Sequence, residues 1–140
     1  MILYLDTSSL VKLYVTEPHA EEVKLWTDAA TAVVTSRLAL PEATSAFARR
    51  HREGDLTEDD FIRARHALEA DWARFVVVEI DEHLAADLAA RHPLRGADAV
   101  HVAAALAVRQ LDSPVAVSFS TFDMRQRAAA RAEGLTILVP

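Results

Sequence analysis

The sequence predicts an α/β sandwich: one mostly parallel sheet of about five strands, covered by helices on both faces. Three observations predict it. Short, continuously apolar runs read as buried strands. Segments with helical period lie between them, an alternation that implies parallel strands with helix-covered faces. Finally, 140 residues carry only three glycines and five prolines, none clustered into a linker, so the chain reads as one domain over residues 1–140.

The elements follow in order. Ile2–Leu5 is the first apolar run, and Asp6 after it is placed to cap a helix over Ser8–Val15. Ala32–Thr35 is a second strand, followed by a helix that carries Glu42. Thr57-Glu58-Asp59-Asp60 resembles a capping box, and Phe61, Ala64, Leu68, Trp72 and Phe75 beyond it form one apolar stripe. Trp26 falls on a similar stripe, so both tryptophans read as core or interface anchors rather than base-stacking platforms. Phe75–Ile80 is a third strand, Asp81 caps a helix over Glu82–Arg91, and Gly96 precedes an alanine-rich helix reaching about Leu111. Val115–Phe119 is a fourth strand. Thr121 then caps Phe122–Glu133, Gly134 ends that helix, and Thr136–Val139 closes the sheet.

Parallel α/β sheets bind ligands beyond the carboxyl ends of their strands, near the point where strand order reverses. Four acids have that address. Asp6 ends the first strand, Asp123 follows the fourth, and Glu42 and Asp98 sit near the starts of helices. Each also has a structural reading as a helix-end acid, worth about 0.3–1 kcal/mol. Against that reading, Glu42 and Asp98 interrupt apolar stretches, where an unpaired charge is costly. Nearby bases are few: Glu42 has Arg49 at i+7, Asp123 has Arg127 at i+4, and Asp98 has none close by. Two carboxylates 4 Å apart repel by about 4 kcal/mol at an effective dielectric near 20. A hard divalent cation, Mg²⁺ or Mn²⁺, relieves that repulsion, lowers the pKa of a bound water and holds a phosphate oxygen.

The segments Leu5-Asp6-Thr7-Ser8-Ser9, Pro41-Glu42-Ala43-Thr44-Ser45, Ala97-Asp98-Ala99-Val100-His101 and Ser120-Thr121-Phe122-Asp123 stand in the order seen in the PIN-domain nucleases. Over nearly its whole length the chain resembles that family, and within it the VapC-type toxin ribonucleases. The resemblance implies a PIN-like three-layer sandwich and an endoribonuclease that uses a metal-activated water. It implies Asp6 and Asp98 as metal ligands, Glu42 and Asp123 as further acids acting directly or through water, and Thr121 as a supporting hydroxyl. It also implies a small antitoxin as partner, which presents a basic or aromatic side chain to the acidic site, and assembly as a homodimer or a toxin–antitoxin hetero-oligomer. The alternative within the same fold is a catalytically inactive protein-binding module.

Other residues carry weaker signals. His101, three residues after Asp98, reads first as a packed histidine and second as a border of the site. Ser8 and Ser9 read as capping residues, and Lys12 as a solvated side chain. Arg49 and Arg125 are candidate RNA contacts within Arg49-Arg50-His51-Arg52 and the later Arg125, Arg127 and Arg131. The acidic run from Glu53 to Asp60 lacks the spacing of a calcium loop and reads as a solvated turn. A phosphoacceptor receiver and a haloacid-dehalogenase-type phosphatase are both disfavoured, because each wants further acidic or lysine residues that Asp6-Thr7-Ser8 and the two lysines do not supply.

The absence of cysteine excludes disulfides, thiolate catalysis and Cys-based zinc sites. No apolar run approaches the roughly 20 residues of a membrane span, and Met1–Asp6 lacks the basic start of a signal peptide, so a cytoplasmic protein is expected. The net charge of −6 argues against tight nonspecific binding to nucleic acid. Acids gathered at a metal site, with basic shoulders beside them, reconcile it with RNA as substrate and suit a basic partner segment.

Overall fold

A computed structural model of the chain describes residues 1–111 and 115–140. Five strands and seven helices are arranged as β1 (Ile2–Leu5), α1 (Thr7–Leu10), α2 (Ala20–Ala29), β2 (Ala32–Ser36), α3 (Ala39–Arg52), α4 (Glu58–Trp72), β3 (Val76–Val78), α5 (Glu82–Arg91), α6 (Gly96–Gln110), β4 (Val117–Ser120), α7 (Met124–Ala132) and β5 (Thr136–Leu138) among the described residues. A short 3₁₀ turn over Val11–Leu13 extends α1. No helix among these residues is long and apolar enough to cross a membrane.

The strands pair in the order β3-β2-β1-β4-β5, and every pairing is parallel. The order reverses between β1 and β4, so the expected ligand crevice opens there. Leu5 sits opposite Ser120, and the Asp6 amide donates to the Ser120 carbonyl at 3.2 Å. Asp6 and Thr121 therefore leave adjacent strands side by side.

Successive side chains of a strand face opposite ways, and β1 divides the core accordingly. Leu3 and Leu5 join Leu10, Phe47 and Leu68 under α1 to α4, whereas Tyr4 joins Leu88, Val102, Ala103 and Phe119 under α5 to α7. The small side chains of α6 seat it against α5, β2 and β4. Trp26, Phe61, Trp72 and Phe75 are half-buried against the first of these cores, as their apolar stripes predict.

Helix starts agree with the sequence signals at three positions, the first being Asp6 at α1. Thr57 accepts from the Asp60 amide at 3.1 Å, and Asp81 accepts from the Leu84 amide at 2.9 Å. The fourth is corrected: α7 is capped by Asp123, which accepts from the Gln126 amide at 2.8 Å. Thr121 is instead almost fully buried, because β4 runs one residue further than expected and turns the next side chain inward. The expected third strand shortens to Val76–Val78, since this edge strand pairs only with β2. Gly134 closes α7 at φ +80°, in the left-handed region that glycine enters without steric cost.

Candidate active site

Asp6 is held by donors from both sides of the crevice. Its Oδ1 accepts from the Ser9 amide at 2.9 Å and the Ser8 hydroxyl at 2.8 Å; its Oδ2 accepts from the Thr121 hydroxyl at 2.7 Å. The residue is only 3% exposed. Burial pushes its pKa above the ordinary carboxylate range, against the pull of the His101 ring and of these hydrogen bonds. Asp6 thus caps α1 and sits in the crevice at once, so the two readings of this acid do not compete. Ser8 also accepts from the Phe122 amide at 2.9 Å, which ties α1 to the segment leading into α7.

Glu42, in the first turn of α3, faces the same crevice. Its Oε1 accepts from the Thr7 hydroxyl at 2.6 Å and from His101 Nε2 at 2.7 Å. Burial raises its pKa, but the hydrogen bonds from His101 and Thr7 outweigh that and hold it below the usual carboxylate value. His101 is 2% exposed, and its Nδ1 lies 2.9 Å from the fully buried Tyr4 hydroxyl. The packed-histidine reading is right about burial, yet the ring touches a candidate acid. Tyr4 was missed in the sequence, where it appears as one more residue of an apolar strand. The available signal was its hydroxyl, since buried tyrosines usually hydrogen-bond.

Asp98 is not without a basic neighbour. Arg95, immediately before α6, lays its guanidinium on the carboxylate, with Nε 3.0 Å from Oδ2 and Nη2 3.5 Å from Oδ1. Arg95 is 78% exposed on its side chain and Asp98 13%, so the cation covers the acid from the solvent side. The fields of Asp123 and Glu42 also favour the charge on Arg95. Arg127 does not pair with Asp123; it donates to the Thr121 carbonyl at 2.9 Å. Gln126, almost fully buried and absent from the sequence reading, lies 3.1 Å from the Thr121 hydroxyl and links α7 to the Asp98 carbonyl at 3.4 Å.

Asp6, Glu42, Asp98 and Asp123 all line one open cleft of about 890 Å³. Thr121 lies behind it, hydrogen-bonded to the lining residues Asp6, Gln126 and Asp123. Arg49 lines the cleft, whereas Arg125 is exposed on α7 and is not among the lining residues. Lys12 is not solvated: its ammonium is held by Glu17 at 2.9 Å and lies 4.3 Å from the centre of the Phe122 ring. Glu17 also binds Arg50 at 2.8 Å, leaving Arg49 as a rim cation with no ion pair among the described residues. Glu53 and Asp55 complete the rim.

The donors in the cleft are carboxylate and hydroxyl oxygens, the set preferred by a hard divalent cation. As they stand, no three Asp, Glu or His side chains among the described residues are close enough together to hold one. Arg95 engages Asp98, and Thr7 with His101 engages one oxygen of Glu42. The donor chemistry, carboxylate oxygens gathered on one cleft, fits such an ion.

The PIN domain family profile matches residues 3–132. The chain belongs to the PIN domain family. This PIN domain is 40% identical over 139 residues to Ribonuclease VapC45 of Mycobacterium tuberculosis (strain CDC 1551 / Oshkosh), covering 97% of this chain and 94% of that protein. Its fold is similar to the sarcin-ricin loop cleaving toxin VapC20 of Mycobacterium tuberculosis, with a TM-score of 0.67, 20% identity and 99% of each chain covered. A toxin–antitoxin complex from Klebsiella pneumoniae is similar as well, with a TM-score of 0.67, 16% identity, and 99% of this chain and 97% of that chain covered.

Proposed function

We propose that this PIN domain is a metal-dependent endoribonuclease, the toxin of a toxin–antitoxin pair, working in the cytoplasm. The observation that carries the reading is the convergence of Asp6, Glu42, Asp98 and Asp123, distant in sequence, on one open cleft at the reversal of strand order. The 40% identity to a protein named as a ribonuclease supports it.

Asp6 and Asp98 would hold Mg²⁺ or Mn²⁺, with Glu42 and Asp123 acting directly or through water. Such an ion supplies a water of lowered pKa and a Lewis acid for a phosphate oxygen. The chain's own groups do the rest. Ser8, Ser9 and Thr121 orient Asp6, and the unpaired Arg49 on the rim offers a donor to an RNA phosphate. A small antitoxin with a basic segment suits the net charge of −6 and would compete for the same acids. Pairing as a homodimer belongs to the same proposal.

Cleavage of total cellular RNA by the purified protein, with the 5′ ends mapped, tests the reading directly. Discrete cuts with Mn²⁺ that vanish with EDTA are expected; intact RNA under both conditions overturns it. Arg95 adds a second test. Because its guanidinium occupies Asp98, Arg95→Gln should lower the Mn²⁺ concentration at half-saturation by several-fold, read by calorimetry. An unchanged titration would show that Arg95 does not compete with the ion.

A further inference from the structure

The contacts behind Glu42 form a directed chain from the middle of the sheet to the cleft. A carboxylate only accepts hydrogen bonds, so the 2.7 Å contact from Glu42 Oε1 requires a proton on His101 Nε2. In a neutral imidazole the other nitrogen is then the acceptor, and the Tyr4 hydroxyl, 2.9 Å away, donates to it. The opposite tautomer would set a nitrogen lone pair against a carboxylate oxygen. Tyr4 is well placed to enforce the choice. Its ring stacks on Phe119 at 5.3 Å between centroids and meets the His101 ring edge-on at 6.0 Å. Burial above all, then the charges of Asp6 and Glu42, push its pKa well up and keep it an O–H donor. Thr7 completes the grip on Oε1 at 2.6 Å. Glu42 Oε2 accepts no hydrogen bond from a described residue and is the oxygen left for the cleft.

We infer that Tyr4 and His101 are positioning residues that lock the Glu42 carboxylate, with Oε1 tied inward and Oε2 alone presented to a divalent cation or its water. The cation half of this inference rests on the function proposed above; the lock does not. It specifies that Glu42 engages through a single oxygen, and it explains a histidine one turn along α6 from Asp98 that has no place on the open surface.

The test uses Tyr4→Phe, which removes one oxygen from a ring that stays stacked, together with His101→Asn and His101→Gln. The glutamine amide reaches the place of Nε2 and can donate to Glu42; the asparagine amide mimics only Nδ1. The first readout needs neither metal nor RNA. Imidazole ¹⁵N–¹H correlation spectra, with His101 assigned by its loss in the glutamine variant, should show Nε2 protonated and Nδ1 bare in the wild type. In Tyr4→Phe the Nδ1 resonance should shift as it loses its donor, while Nε2 stays protonated against Glu42. The second readout is Mn²⁺ affinity by calorimetry. It should weaken by about 10-fold or more in Tyr4→Phe and His101→Asn, the range seen when partners of a metal ligand are lost, and recover in His101→Gln. Cleavage should follow in kcat with KM little changed. A wild-type imidazole protonated at Nδ1 overturns the lock. Wild-type Mn²⁺ affinity in folded Tyr4→Phe and His101→Asn overturns its role toward the ion. If the wild type neither binds Mn²⁺ nor cuts RNA, the ribonuclease reading fails, and the tautomer alone decides the lock.

Discussion

Asp6→Asn is expected to abolish Mn²⁺-dependent RNA cleavage while leaving the fold intact. The loss in kcat/KM should exceed the roughly 10–100-fold typical of residues that only support a ligand, because an anionic oxygen donor disappears. The fold survives because the amide can be satisfied in place. Its oxygen accepts from the Ser9 amide, and its NH₂ donates to Thr121, whose hydroxyl then donates to Gln126 Oε1, 3.1 Å away. The change should also stabilise the metal-free protein at neutral pH. Burial raises the pKa of Asp6 in the folded state, so between the ordinary carboxylate value and that raised value the folded protein binds a proton the unfolded chain has lost. Stability therefore falls as pH rises through this window, and the penalty persists above it. The advantage of the amide is greater at pH 7 than in acid, where it disappears. Glu42 shifts the opposite way, and it is common to both proteins, so it cancels in the comparison. Urea unfolding at pH 7 and pH 3.5, run beside the cleavage assay, checks both halves. A variant that cuts RNA like the wild type, or that is equally destabilised at both pH values, contradicts the prediction.

Mn²⁺ is expected to raise the melting temperature substantially. An ion that binds only the folded state contributes RT ln(1 + [L]/Kd), about 2.7 kcal/mol at 100 times Kd. For a chain of 140 residues each kcal/mol moves the midpoint by about 3–4 °C, so a shift of about 10 °C is expected at saturation. Thermal scans followed by circular dichroism, with Mn²⁺ and with EDTA, measure it. Asp98→Asn should flatten the response. A wild-type curve that ignores millimolar Mn²⁺ would remove the cation from the mechanism and leave the four acids unexplained.

Most of the fold was legible because it rests on local signals. Helix α5 runs over Glu82–Arg91 as its Asp81 cap and apolar spacing predict, and α4 begins after Thr57 for the same reason. The four acids were legible because each stands at an element boundary, where a charge among apolar neighbours is conspicuous. Partners were harder. Arg95 was passed over beside Asp98 although it lies only three residues away, because it precedes the helix and folds back over its first turn. Lys12 was expected in solvent, but its partners Glu17 and Phe122 come from different parts of the chain. Arg127, expected near Asp123, turns to the Thr121 carbonyl because Asp123 is occupied in capping α7.

Taken alone, the sequence determined the alternation of strands and helices, the four acids and their placement at strand and helix ends, since periodicity, capping and burial are properties of short stretches. Only the tertiary structure decided which groups meet. Residues Tyr4, Glu42 and His101 lie up to 97 positions apart, and no local pattern couples them. They come together because β1 lies at the centre of the sheet with α6 packed over one face, while α3 carries Glu42 to the shared carboxyl edge. Long-range hydrogen-bond geometry depends on that packing, and packing is a property of the whole chain.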